Sequence, residues 1–315
     1  MSVVRTHRTR LAALGSVLIA GSLAVTGCSS TSSTSSTSSS SGSSSGSSSG
    51  SITSPTAVPS LAARLPAAVK SSGKLVVGVD ASYAPNEFKD DSGHIQGMDV
   101  DLAGAIAAKL GLKADVQDSQ FTAIIPGIQS NKFQLGMSSF TDSKDREATV
   151  DMVTYFTAGT SMAVKKGNPN KISATDLCGK KVAVQTGTTQ ADEIKNTLNP
   201  ACQKAGKPTI PNDGDKFDLQ TDVTNALVAG RDDAMLADSP VVDYAIKISG
   251  QLEKVGDTTD TAPYGAVVAK GSPLTPAIQG AIQSLIDDGT YAQILQKWGV
   301  QAGAITKSVV NGAVS

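Results

Sequence analysis

Histidine, tryptophan and cysteine are scarce in this 315-residue chain, which holds two, one and three of them, and aromatic residues make up only 4%. Beyond the first ten positions the sole histidine is His94, in the turn cluster Asp90-Asp-Ser-Gly-His94. A histidine-based triad therefore has little to work with, although a pair of carboxylates could still act as acid and base. The phosphate-loop spacing G-x-x-x-x-G-K-[ST] occurs nowhere, so a nucleotide site of that kind is excluded. No metal, no cofactor and no catalytic residue is expected. The formal net charge is −1, which gives no field that would draw in nucleic acid or a strongly charged partner. Apart from residues 11–25, no apolar run approaches the length needed to span a bilayer. No internal repeat is present.

What the chain does have begins with a processing segment. Arg5, His7, Arg8 and Arg10 form a positive n-region, and residues 11–25 form an apolar h-region too short for a stable membrane helix. It closes on Leu23-Ala-Val-Thr-Gly-Cys28, small residues before a cysteine that resemble a bacterial lipobox. Residues 1–27 are expected to be a lipoprotein signal peptide and Cys28 the lipid attachment point, leaving the protein outside the cytoplasm on the outer face of the cell membrane. An ordinary secretory signal with an incidental cysteine is the alternative. Residues 29–51 are almost wholly Ser, Thr and Gly, a composition that behaves as flexible coil. With Pro55, Pro59 and Pro66 included, residues 28–72 read as a tether. One acyl chain binds membranes only marginally, so stable anchoring needs more than one. In an exported chain Cys178 and Cys202 are candidates for a disulfide, with two free thiols as the alternative.

The remaining ~240 residues suit one large domain or two small ones. Strand-like and helix-like patterns alternate through them. Residues 74–80 form a continuous β-type run, residues 99–110 an amphipathic helix ending at Gly111, and residues 114–117 a strand. A helix at 121–129 contains Pro126, a short apolar run covers 133–137, and a helical pattern follows at 145–150. Residues 159–165 look extended. Strands are expected at 180–185, 233–237 and 263–269, and helices at 190–198, 222–229, 241–248, 274–288 and 290–298. Residues 199–215 read as a polar insertion. This alternation predicts an α/β fold with mostly parallel sheets, in which ligands bind beyond the carboxyl ends of the strands.

The polar outliers gather at those ends: Asp80 and Tyr83, then residues 138–146 with Ser138, Ser139, Thr141 and Arg146, then residues 186–190 with Thr188 and Thr189, then Asp238. An arginine in the first turn of a helix opposes the macrodipole. A bound carboxylate would account for Arg146, because guanidinium grips carboxylate in a two-pronged fork. A structural ion pair is the alternative. Gly187-Thr188-Thr189 precedes a helix and suits an anion, or simply caps the helix, with Thr189 and Asp192 as a loose capping box. Asp238 needs a cation or must cap the helix after it, since an unpaired buried charge is costly. Tyr83 and Phe121 could stack on a ligand or belong to the core. A fork for a carboxylate, a carboxylate for an ammonium and two apolar walls together match a free α-amino acid.

The ordered landmarks Val77-Gly-Val-Asp80, Glu87-Phe88, Gly97-Met-Asp-Val-Asp101, Ala123-Ile-Ile-Pro-Gly-Ile-Gln129, Ser138-Ser-Phe-Thr141, Val184-Gln-Thr-Gly-Thr-Thr189, Ala237-Asp-Ser-Pro240, Pro263-Tyr-Gly265 and Lys297-Trp298 resemble the polar amino-acid substrate-binding proteins of ABC importers, bacterial solute-binding family 3. The resemblance covers residues 74–299. It implies a two-lobed periplasmic-binding-protein-like fold (type II), each lobe a mostly parallel sheet flanked by helices. Residues 74–158 with 264–305 would form lobe 1, residues 159–263 lobe 2, and residues 306–315 a tail, with a two-segment hinge near Gly159 and Tyr264. It also implies that Arg146 clamps the ligand α-carboxylate with backbone N–H groups of Thr141 and Thr189, and that Asp238 and Ser139 hold the α-ammonium. Tyr83 and Phe121 would sandwich the ligand side chain, with Asp80, Ser138 and Gln185 reading its far end. The implied partners are a free amino acid and the permease subunits of an importer, and a monomer is expected. Asp80 tilts the ligand toward a cationic or amide side chain, Arg, Lys or Gln, and away from glutamate. Asn86, where the family usually has an aromatic, and Ser-Ser-Phe-Thr, instead of a simpler Gly-x-Thr, depart from the pattern in the specificity region. A small lyase on the same fold, or a ligand sensor without transport, are the other readings.

Overall fold

The computed structural model describes residues 55–314. The segment expected to be a signal peptide, Cys28 and the Ser/Gly-rich run lie outside the described residues. No described helix is long and apolar enough to cross a membrane.

Nine strands make one continuous sheet: β1 Lys74–Val79, β2 Lys113–Asp118, β3 Leu135–Gly136, β4 Val150–Lys165, β5 Val182–Gln185, β6 Asp215–Phe217, β7 Ala234–Asp238, β8 Leu252–Lys254 and β9 Thr259–Ala269. Their order is β2-β1-β3-β9-β4-β7-β5-β6, with β8 paired to β4. The ladders at the two ends are parallel, Val77 facing Val116 and Leu135 on one side and Ala234 facing Val182 on the other. Between them, β4 and β9 run antiparallel, with Val267 opposite Met152. Their closeness is visible at Gly159, where an added Cβ would lie 2.3 Å from the Thr259 carbonyl oxygen.

The long β4 contributes to separate cores. Val153, Tyr155 and Phe156 pack with Leu75, Val77, Ile106, Tyr264 and Ile282. Met162 and Val164 pack with Val182, Val184, Ile194 and Leu236. Helices Met98–Lys109 and Thr275–Asp287 pack in the first core, Thr189–Glu193 in the second, and Gln220–Val228 and Ser239–Ser249 in a third with Ala163, Ala183 and Met235. This is the expected two-lobed α/β arrangement, and its inner strands β4, β5 and β7 are buried almost throughout, whereas the edge strands β2 and β6 are not.

Several expected elements differ. The helix expected at 145–150 is a single turn, Lys144–Glu147, and Val150 already begins β4. The β-branched residues Val150, Val153 and Thr154 gain more from sheet pairing than from the helical period. The extended segment expected from 159 is the second half of the same strand. The polar insertion holds a helix, Asn199–Lys204, and β6. The tether ends earlier than residue 72, since Pro59–Ala62 and Ala67–Ser72 are helical and bury Leu61, Leu65 and Val69 against the first core. Their prolines start turns and helices and do not extend the chain. The expected tail is also packed, with Val310 bridging Val153 and Ser308 only 2% exposed. Cys178 and Cys202 are bonded, closing a loop with a sequence separation of 24.

Candidate functional site

The loop after β3 is built on carboxylates. Asp99 opens the helix Met98–Lys109, is fully buried, and accepts hydrogen bonds from the Tyr155 hydroxyl (2.7 Å) and the Ser139 backbone N–H (2.8 Å). These two bonds hold Ser139 at φ 53°, a left-handed conformation that a non-glycine residue adopts only when its surroundings insist on it. Ser138 donates to Glu87 (2.8 Å) and accepts from the Asp80 backbone N–H (3.0 Å). Glu87 and Asp99 contact each other, and burial raises both, Asp99 to about 6 and Glu87 well above the ordinary carboxylate range. Two like charges cannot both persist at that distance in a dry core, so the pair retains a proton. The two departures from the family pattern meet here, Asn86 Nδ2 donating to Ser139 Oγ at 2.9 Å.

Arg146 follows in the short turn capped by Ser143. Its Nη1 donates to the Thr141 carbonyl (2.8 Å) and its Nη2 to the Gly187 carbonyl (3.3 Å), so the guanidinium bridges the loops after β3 and β5. Its guanidinium carbon lies 5.7 Å from the ring centre of Phe121 and 5.3 Å from that of Phe140, and these two rings stack at 4.4 Å. Burial lowers the Arg146 pKa, and the negative charge of Asp238 works in the opposite direction. No described carboxylate forms a salt bridge with it, which leaves the ion-pair alternative without a partner.

After β5, Gly187 takes φ +79°, and a Cβ there would meet the Thr122 methyl at 2.7 Å, so this turn needs glycine for both conformation and space. The cap of the next helix is Thr188, whose hydroxyl accepts from the Ala191 N–H, in place of the expected Thr189 box. Asp238, at the end of β7, stands at a helix N-terminus without capping it by side chain. Its carboxylate accepts from Tyr264 (2.7 Å) and Gln190 (2.8 Å), and its own N–H donates to the Tyr83 hydroxyl. Burial raises the Asp238 pKa, and its hydrogen bonds and Arg146 hold it back. Asp80 accepts from the Phe121 N–H (3.0 Å) and from Gln185 (2.8 Å), with burial again pushing it upward.

These groups line one narrow, nearly filled cavity, whose free space is only about 10 Å³. Its wall contains Asp80, Tyr83, Phe121, Ser138, Ser139 and Thr141. It also contains Arg146, Gln185, Thr188, Thr189 and Asp238, so all eleven residues singled out from the sequence meet here. Gln190 lines it too; it stands in the polar stretch 186–190, where the sequence gives it no role of its own. Phe140 and Tyr264 were missed as supports. Tyr264 stood within a quoted landmark, but nothing in its pattern tells that its hydroxyl reaches Asp238.

The sequence matches the bacterial extracellular solute-binding proteins, family 3, over residues 75–301. The chain belongs to that family. Among family 3 proteins it is similar to the arginine-binding protein ArgT of Corynebacterium glutamicum, 34% identical over 258 residues, covering 82% of this chain and 84% of that protein. It is also similar to the L-cystine-binding protein TcyJ of Escherichia coli K12, 30% identical over 234 residues, with 73% and 84% covered. A solved ancestral arginine-binding protein bound to arginine has 37% identity and a TM-score of 0.65, over 72% of this chain and 98% of that one. An ancestral amino acid-binding protein described as a precursor of cyclohexadienyl dehydratase has 36% identity and a TM-score of 0.65, over 73% and 97%. The proteins of known role among these are binding proteins.

Proposed function

We propose that this family 3 protein captures a free α-amino acid with a cationic or amide side chain, arginine foremost, and hands it to the permease of an ABC importer. The observation that carries this reading is the pair of opposite charges lining one cavity without neutralising each other. Arg146 offers a fork to an α-carboxylate, and Asp238 offers an acceptor to an α-ammonium. Asp80, held by Gln185 and the Phe121 N–H, presents a carboxylate to the far end of the ligand, and Tyr83 and Phe121 supply its walls. Thr141, Thr188 and Thr189 complete the carboxylate end, while Ser138 and Ser139 fix the loop. Similar proteins bearing arginine- and glutamine-binding names support the choice of side chain.

In this reading the lobes are residues 74–158 with 264–305 and residues 159–263, closing on the ligand about β4 and β9 as a hinge. The chain acts as a monomer held to the outer face of the membrane through Cys28, and it releases its ligand chemically unchanged. The dehydratase precursor among similar structures keeps a lyase as the second reading. Thermal-shift screening of the soluble chain against all free amino acids tests the proposal. A ligand at 100 times its Kd adds about 2.7 kcal/mol, a shift of several degrees for a domain of this size. Stabilisation by arginine, lysine or glutamine, with the ligand recovered intact, supports it. No shift with any amino acid overturns it, and recovery of a converted product favours the lyase.

A further inference from the structure

The family match ends at residue 301, yet the chain beyond it is tightly built into the fold. Ser308 donates through its hydroxyl to the Thr154 carbonyl (2.8 Å), the Thr154 N–H donates to the Val309 carbonyl (2.9 Å), and the Val309 N–H donates to Thr154 Oγ1 (2.9 Å) near the start of β4. Asn311 pairs with Met152 through both its backbone N–H (2.7 Å) and its side-chain oxygen (2.9 Å). The next two residues then leave the strand and reach the turn that carries Arg146. The Gly312 N–H donates to Asp142 Oδ2 (2.8 Å) and the Ala313 N–H donates to Glu147 Oε1 (2.9 Å). Asp142 precedes the Ser143 cap and Glu147 is the last residue of the turn, so the strap grips both ends of it. The space is close as well as bonded, since a Cβ on Gly312 would meet Val309 at 2.7 Å and Thr154 at 3.0 Å.

That turn has few other restraints. Its helix is four residues long, too short to be stable by itself. Apart from the strap, it is held by the backbone bond from Asp142 N–H to the Pro263 carbonyl, the contact of Lys270 with the Glu147 carbonyl, and Arg146's own side chain on the Gly187 carbonyl and over Phe121 and Phe140. An arginine that must meet a carboxylate in a fixed fork loses less freedom on binding when its backbone is already fixed. We infer that residues 308–313 are a positioning strap that pre-orders Arg146 for its ligand, an extension of the binding site supplied from outside the family-matching region. This rests on the reading of Arg146 as the carboxylate clamp.

The test measures L-arginine affinity by calorimetry in the full chain, in a chain lacking residues 310–315, and in Asn311→Ala and Asn311→Asp variants. Each is made also in an Arg146→Lys background. The strap predicts that truncation and Asn311→Ala weaken binding about 3- to 10-fold, and that Asn311→Asp, which keeps the oxygen facing the Met152 N–H, restores it. In the Arg146→Lys background the same changes should cost less than about twofold, because the coupling partner is gone. Equal losses in both backgrounds, or none in either, overturn the strap while leaving the clamp standing. Full L-arginine affinity in an Arg146→Ala chain overturns the clamp itself, and the strap with it.

Discussion

Arg146 and Asp238 line the same cavity, and among the described residues neither forms a salt bridge with the other or with any other side chain. Both are held by neutral donors and acceptors, Arg146 by two carbonyls and Asp238 by a hydroxyl and an amide. A buried carboxylate and a half-buried guanidinium so placed are costly to keep unless a third body neutralises both. A zwitterion does that. Replacing Asp238 by Asn is therefore expected to cost about 2–5 kcal/mol of ligand affinity, roughly 30-fold or more, because it removes one member of a desolvated charge pair. Calorimetric titration of the variant against the same amino acid checks it.

Asp80 should decide which side chain is accepted. Its carboxylate is buried, raised in pKa by that burial, and tied to Gln185 and the Phe121 N–H. Changing Asp80→Asn keeps the shape and removes the charge. Arginine affinity is expected to fall about 10- to 100-fold, whereas glutamine affinity should change by less than about threefold, since only the first loses a charge-assisted bond. Competition between the two ligands in one titration reads the ratio directly.

The eleven cavity residues were legible because an α/β chain exposes its loops at the carboxyl ends of strands, and polar residues there stand out against apolar runs. Asp80 and Asp238 terminate strands, and Gly187 marks a turn. The supports were not legible for a related reason. Tyr264 lies within the antiparallel crossing of β4 and β9, where its hydroxyl's partner depends on a pairing between residues about a hundred positions apart. Phe140 hides inside a hydroxyl-rich loop and reads as an interruption of it. The ordered residues 59–72 were misread because Pro59 and Pro66 signal linker and helix start equally well. The strap at 308–313 carries neither helical nor alternating period, because its order comes from one strand edge and two carboxylates.

The disulfide should matter for stability and not for ligand choice. Cys178 and Cys202 lie away from the cavity and close a loop with a sequence separation of 24. On the chain-entropy account such a crosslink is worth about 3 kcal/mol. The Cys178→Ser, Cys202→Ser double variant is expected to melt roughly 5–10 °C lower with unchanged ligand specificity. Calorimetric melting of both proteins, with and without reductant on the parent, checks this.

Asp232 predicts a pH dependence remote from the cavity. It is buried beside Asp215, and burial together with that carboxylate pushes it up to about 6. A carboxyl whose folded pKa lies above its unfolded value stabilises the fold while protonated, and that contribution is lost as pH rises through about 6. Asp232→Asn mimics the protonated group. It is expected to raise unfolding stability by about 1 kcal/mol at neutral pH, the full linkage value being reduced by nearby solvent and by Lys181 and Arg231. At acid pH, below the unfolded value, the gain should vanish. Urea titrations at both ends of the range measure the difference.

The central claim is that the cavity reads the backbone charges of an amino acid through Arg146 and Asp238. One calorimetric series tests it most directly: L-arginine, its carboxyl amide and its N-acetyl derivative, titrated into the same soluble chain. L-Arginine should bind saturably with one site per chain, and each blocked form should lose roughly 100-fold or more, the cost of stranding a buried charge. Equal affinity for the free and blocked forms would contradict the account, because the cavity would then be reading the side chain alone.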